Sequence, residues 1–132
     1  MEFRGFVHNQ NFTALSQYNH QMVSKRLVTR KEEFAERITS FWREQIAPRL
    51  ERHDKLKSYI VDFAVTGDDF ENVWVVELNP FLTSTSPNLF SWAKDKEVLY
   101  NGPFEFRIRE KSSPGVLGDM TSEWRAIIDS TR

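Results

Sequence analysis

Val73-Trp74-Val75-Val76-Glu77-Leu78-Asn79-Pro80-Phe81 is an apolar strand that delivers a carboxylate and a carboxamide to its polar end. Side chains alternate faces along a strand, so Glu77 and Asn79 point to one side while Val76 and Leu78 point to the other. Two hard oxygen ligands then sit side by side. Magnesium takes such oxygens, binding through one or two carboxylates and completing its shell with phosphates, which makes this pair a candidate metal–nucleotide site. On spacing alone the same two residues also fit the solvent side of an edge strand ending at Pro80.

Upstream, Ser58-Tyr-Ile-Val-Asp-Phe-Ala-Val-Thr66 reads as a strand, and Gly67-Asp-Asp-Phe-Glu-Asn72 turns it back into the Val73 to Asn79 strand, giving a hairpin. Its first strand places Asp62 among apolar neighbours. A buried acid there must be paired, neutral or metal-bound, which makes Asp62 a third candidate ligand; a solvent-facing acid on a half-exposed sheet is the alternative.

A second hairpin precedes these strands: residues 2 to 8 and 12 to 18 alternate as strands around the polar turn Asn9-Gln10-Asn11. Between the hairpins, Phe34, Ile38, Phe41, Trp42, Ile46 and Leu50 recur at helical spacing. Thr29 and Glu32 resemble a capping box, so a helix is expected from about Lys31 to Arg52. Pro48 would cost about 3 kcal/mol inside a regular helix, which predicts a kink or break near Gln45 to Ala47. After Pro80, the loop from Leu82 to Pro87 leads to a short helical turn at Asn88 to Trp92, and Phe104 to Arg109 alternates as another strand. Ser112 to Gly115 is linker-like. Val116 to Arg132 reads as a docking helix around Glu123 to Ile128 or as a partly disordered tail. The expected class is α+β, an antiparallel sheet of hairpins packed on one long helix.

Composition sets the bounds. The chain has 132 residues, enough for one domain with a core, and its 18 Lys and Arg nearly balance its 19 Asp and Glu. No global field then attracts nucleic acid or an anionic membrane. The absence of cysteine removes disulfides, thiolate zinc sites and cysteine nucleophiles, and fits a reducing compartment. No run approaches the roughly 20 apolar residues that span a bilayer, and residues 1 to 20 lack signal-peptide patterning, so a cytoplasmic location is expected and the sequon at Asn11 reads as chance. His8, His20 and His53 lack zinc spacing and read as surface or hydrogen-bonded residues. No glycine-framed elbow marks a serine nucleophile, no glycine-rich loop cradles phosphate, and the basic residues at 25 to 31 read as a solvated helix start.

Several segments occur together in one order: Met1-Glu2-Phe3-Arg4-Gly-Phe-Val, Ala14-Leu-Ser-Gln-Tyr18, a long helix, Tyr59-Ile-Val-Asp62-Phe, the Val73 to Phe81 strand, Leu89-Phe-Ser-Trp92 and Phe104-Glu-Phe-Arg107-Ile. Over residues 1 to 109 this resembles the C-terminal half of the cell division cycle 123 family, a branch of the ATP-grasp fold. Residues 110 to 132 are then linker and tail. The Glu-x-Asn-Pro piece is shared by many ATP-grasp proteins; the Phe-Arg strand and the Leu-Phe-Ser-Trp segment narrow the resemblance to this family.

The resemblance implies that Asp62, Glu77 and Asn79 bind magnesium ions bridging the phosphates of ATP. It also implies that Arg4 reaches those phosphates, a task that suits a guanidinium; from the residues alone Arg4 also fits an ion pair with a neighbouring acid. Family members usually carry Asp where this chain has Glu77. Ser16-Gln17 is followed here by Tyr18-Asn19-His20 rather than by Arg and a tyrosine-rich stretch, which leans toward bacterial-type relatives. The family's upstream lobe, with its phosphate-contacting lysine and adenine-holding segment, has no counterpart in these residues, so the chain reads as a fragment of a longer protein or a reduced one. Three functions are open. The resemblance implies an ATP- and magnesium-dependent assembly chaperone for translation initiation factor 2, acting on its gamma subunit. The alternatives are an ATP-grasp carboxylate–amine ligase, for which no acceptor-substrate residue is evident, and a non-catalytic remnant serving as an interaction module.

Overall fold

The computed structural model describes residues 1–18, 21–53 and 55–110. Two antiparallel hairpins are present as the alternation predicts: β1 (Glu2–His8) with β2 (Asn11–Gln17), and β3 (Tyr59–Thr66) with β4 (Asn72–Pro80). A short strand β5 (Glu105–Arg107) completes one five-stranded sheet in the order β4-β3-β1-β2-β5. β1 pairs antiparallel with β3, joining the hairpins edge to edge.

The sheet is not wholly antiparallel. β5 runs parallel to β2, and only its three residues of the expected Phe104 to Arg109 strand join the ladder.

The helices between the hairpins lie on one face. The single helix expected at Lys31 to Arg52 is preceded by a separate helix, α1 (Lys25–Thr29), where the Ser24 hydroxyl caps the backbone N–H of Leu27. Thr29 is not a cap: its hydroxyl donates back to the carbonyls of Lys25 and Arg26. α2 (Lys31–Phe41) begins at Arg30 without a side-chain cap. It passes into a widened π turn at Trp42–Ile46 and then into α3 (Ala47–Leu50). This is how the chain accommodates Pro48, which has no N–H and whose ring crowds a carbonyl one turn earlier. The widened turn sits directly ahead of it, and the N–H of Ala47 bonds to the carbonyl of Trp42.

Phe34, Ile38, Trp42 and Ile46 from this helical path pack on Phe3, Leu15, Val61 and Phe63 of the sheet. The Trp42 indole N–H donates to the Tyr59 hydroxyl at 2.8 Å inside that core. On the opposite face, the segment from Phe81 to Tyr100 folds over Phe6, Ala14 and Ile60. Its expected helical turn at Asn88 to Trp92 is a hydrogen-bonded turn, with Phe90 N–H on the Pro87 carbonyl. A helix unmarked in the sequence, α4 (Lys96–Asn101), buries Leu99 there. His8 is held between the rings of Phe81 and Tyr100, His53 is exposed, and His20 lies outside the described residues, as do the linker at 112 to 115 and the tail at 116 to 132. No helix among the described residues is long and apolar enough to cross a membrane.

Candidate nucleotide and metal site

Strand register brings the sequence candidates into one row. Glu77 on β4 lies opposite Asp62 on β3, Asp62 opposite Arg4 on β1, Arg4 opposite Ser16 on β2, and Ser16 opposite Arg107 on β5. Directly paired residues share a face, so five strands contribute one polar residue each to a single line across the sheet. Asn79 joins it from the same face and donates its amide N–H to Asp62 Oδ2 at 3.3 Å.

A β-bulge shapes the β4 end of this row. The ladder skips from Asp62–Glu77 to Phe63–Val75, leaving Val76 as the extra residue. Bulges re-aim side chains and are common beside active sites. Here the bulge puts Trp74, three residues before Glu77, on the same face as Glu77 and Asn79.

Asp62 is 2 % exposed and Arg4 9 %. The guanidinium grips the carboxylate twice, Nε to Oδ1 at 2.8 Å and Nη2 to Oδ2 at 2.9 Å. Nη1 donates to the Ser86 carbonyl at 2.8 Å and Nη2 also reaches the Tyr18 hydroxyl at 3.3 Å. Of the two fates open to Arg4 in the sequence, the structure displays the ion pair, buried rather than at the surface. Hydrogen bonding to Asp62 raises the Arg4 pKa against the opposing effect of burial. The Tyr18 phenol, with the Arg4 guanidinium over its ring at 5.2 Å, has its pKa pushed well up, first by burial and then by hydrogen bonding to Asp62.

Tyr18, Ser86 and Arg107 are the site's neighbours that motif reading missed. Ser16 Oγ accepts the N–H of Leu89 at 3.1 Å, which with the Arg4–Ser86 bond straps the loop after β4 across the row. At the far end Arg107 makes a two-pronged bond to Asp95, 2.9 and 2.8 Å, and lies over the Phe90 ring at 4.2 Å. Asp95 is held below the usual carboxylate range, chiefly by that bond.

The donor set suits magnesium of one kind. Among the described residues no three His, Cys, Asp or Glu side chains gather as a metal cage. The carboxylates of Asp62 and Glu77 and the carboxamide of Asn79 lie on one face of two paired strands instead. The Asn79 amide spends its nitrogen on Asp62, which turns its oxygen away from that carboxylate. Glu77 is exposed. Few protein oxygens, all hard, with Glu77 open to solvent beside the buried Asp62, fit an ion that keeps water and phosphate oxygens in most of its shell.

The model of the D123 family matches residues 1–123. The chain belongs to the D123 family. A Candida albicans protein named "Translation initiation factor eIF2 assembly protein" is 30 % identical over 114 residues, covering 85 % of this chain and 32 % of its own length. The protein of the same name from Dictyostelium discoideum is 33 % identical over 92 residues, 70 % of this chain and 22 % of its own. The chain thus spans a third or less of these D123 relatives. In fold it is similar to Cdc123 from Schizosaccharomyces pombe, with a TM-score of 0.66 at 22 % identity over 83 % of this chain and 41 % of that one. That likeness supports the α+β arrangement of a sheet packed against helices.

Proposed function

We propose that this D123 chain is the magnesium–ATP-binding segment of an assembly factor for eIF2, with the C-terminal half of an ATP-grasp fold as its frame. One observation carries the nucleotide part: the row Glu77–Asp62–Arg4, locked by register across three strands, with Asn79 bonded into it. The name shared by the relatives supports the eIF2 part.

Asp62, Glu77 and Asn79 would hold the metal. Magnesium there would supply positive charge that screens phosphate oxygens. The residues of the chain do the positioning. Arg4 fixes the Asp62 carboxylate in one orientation by a two-point grip, and its positive charge would stand beside phosphates held at that carboxylate. Asn79 ties β4 to the same carboxylate, so the acids on neighbouring strands keep a constant spacing. The strap from Ser86 to Leu89 closes the β1–β2 side of the row against water. In this reading nucleotide organises a binding surface, and no acceptor substrate is required.

The test is binding of purified eIF2 to the immobilised chain with and without magnesium and ATP. Nucleotide is expected to strengthen binding roughly tenfold, a typical coupling between two sites. Glu77→Gln is expected to return binding to the level without nucleotide. Binding indifferent to nucleotide and to that substitution would remove ATP from the account.

A further inference from the structure

β4 is an edge strand, and its outer side is unlike a protected edge. Among the described residues it lies last in the sheet order, paired only to β3. Edges are usually blunted by lysines, inward charges or proline. Between Asn72 and Pro80 the only charge is Glu77, and Pro80 stands at the very end. Trp74, Val75, Val76 and Leu78 are 57, 43, 55 and 47 % exposed.

A groove runs beside this edge on the helix face, between β4 and the stretch from α2 into the π turn. Val73 and Phe41 give it apolar walls, and Glu36, Glu44 and Glu71 rim it with acid. Val75, two residues past Val73 on the same face, extends the apolar floor. The one arginine in the lining, Arg37, turns toward Glu33, Asp69 and the carbonyls of Asp69 and Phe70, so its charge is spent away from the rim acids.

We infer that the outer edge of β4 and this acid-rimmed groove form a protein-docking surface that takes an extended segment, apolar at alternate positions and flanked by lysine or arginine, as a sixth strand. The backbone edge of β4 that no described strand pairs supplies the ladder, alternate apolar side chains settle on Val73 and Val75, and the basic flanks meet Glu36, Glu44 and Glu71. Charge decides between this occupant and a second copy of the chain. Two β4 edges set together would bring Glu71 and Glu77 of each copy, and both sets of groove acids, into one interface, and like charges there oppose association.

The test uses the folded chain and a synthetic capped peptide, Lys-Lys-Val-Thr-Val-Thr-Val-Lys-Lys, with a second peptide in which every Lys is Glu. Amide NMR shifts are followed through titration, with light scattering of the chain alone. The expected result is saturable shifts confined to β4 and the groove for the lysine peptide, none for the glutamate peptide, and a monomeric mass throughout. The double variant Glu36→Lys, Glu44→Lys changes only exposed helix positions, and its unfolding midpoint serves as the folding control. It is expected to weaken the lysine peptide about tenfold or more. Equal binding of both peptides, no saturable shift in β4, or a concentration-dependent dimer with β4 amides already protected would overturn the proposal.

Discussion

Arg4 and Asp62 stand directly opposite each other on neighbouring antiparallel strands, joined by two hydrogen bonds of 2.8 and 2.9 Å in a nearly dry setting. Removing one partner of such a pair strands the other charge. Asp62→Ala is expected to destabilise the chain by about 3 to 5 kcal/mol, read as a lower urea midpoint. Asn79→Ala removes a single hydrogen bond from a half-buried amide and is expected to cost only about 1 to 2 kcal/mol. A lost function in Asp62→Ala would therefore report folding as much as chemistry, whereas Asn79→Ala isolates the site.

Two at least partly buried phenols give the fold an alkaline limit. The Tyr18 pKa is raised, mainly by burial, and that of Tyr59 is raised for the same first reason. Between the unfolded phenol value of 10.0 and the raised folded values, the native chain keeps protons that the unfolded chain has lost, so stability falls as pH rises through this window. Below pH 10 the contribution is fully present. Urea midpoints from pH 8 to 11 should fall above 10, and Tyr18→Phe should fall less steeply. An identical slope for the two chains would show that Tyr18 is not responsible.

Gly5 faces the helix side of β1, where a Cβ would lie 2.7 Å from the ring of Phe12 and 3.0 Å from that of Phe63. Both rings are packed by Trp42 and Phe41, so neither can yield cheaply. Gly5→Ala is expected to destabilise by about 1 to 3 kcal/mol through overpacking. Thermal unfolding checks this, and a variant as stable as the parent would mean the rings move freely.

At the other end of the row, Arg107 combines a planar two-point grip on Asp95 with stacking over Phe90. Lysine keeps the charge and loses both geometries. Arg107→Lys is expected to cost about 1 to 2 kcal/mol, a charge-assisted hydrogen bond's worth, measured by urea unfolding. Because the bond holds Asp95 low, the loss should shrink as pH falls below 3.8 and the unfolded carboxyl takes up its proton.

What the sequence disclosed followed its local periods. The hairpins and the shared side of Glu77 and Asn79 come from alternation within single strands. The Arg4–Asp62 pair depends on register between β1 and β3, 58 residues apart, which no local pattern encodes. β5 escaped correct placement because three residues carry too little pattern to reveal a parallel partner. Pro48 marked a disturbance in the long helix, yet whether the backbone kinks or widens is decided by packing of Trp42 and Ile46 into the core. α1 and α4, at five and six residues, are shorter than the repeat that would expose them. Tyr18 stood out only as a departure from its family, and its contact with Arg4 supplies a physical role for that departure.

Calorimetric titration of the folded chain with ATP in magnesium, alongside Asn79→Ala at matched folded fraction, tests the central claim most directly. The account predicts saturable, magnesium-dependent heat that the substitution reduces about tenfold or abolishes. No heat from the folded parent chain, or heat unchanged by Asn79→Ala, would contradict a nucleotide site at Asp62, Glu77 and Asn79.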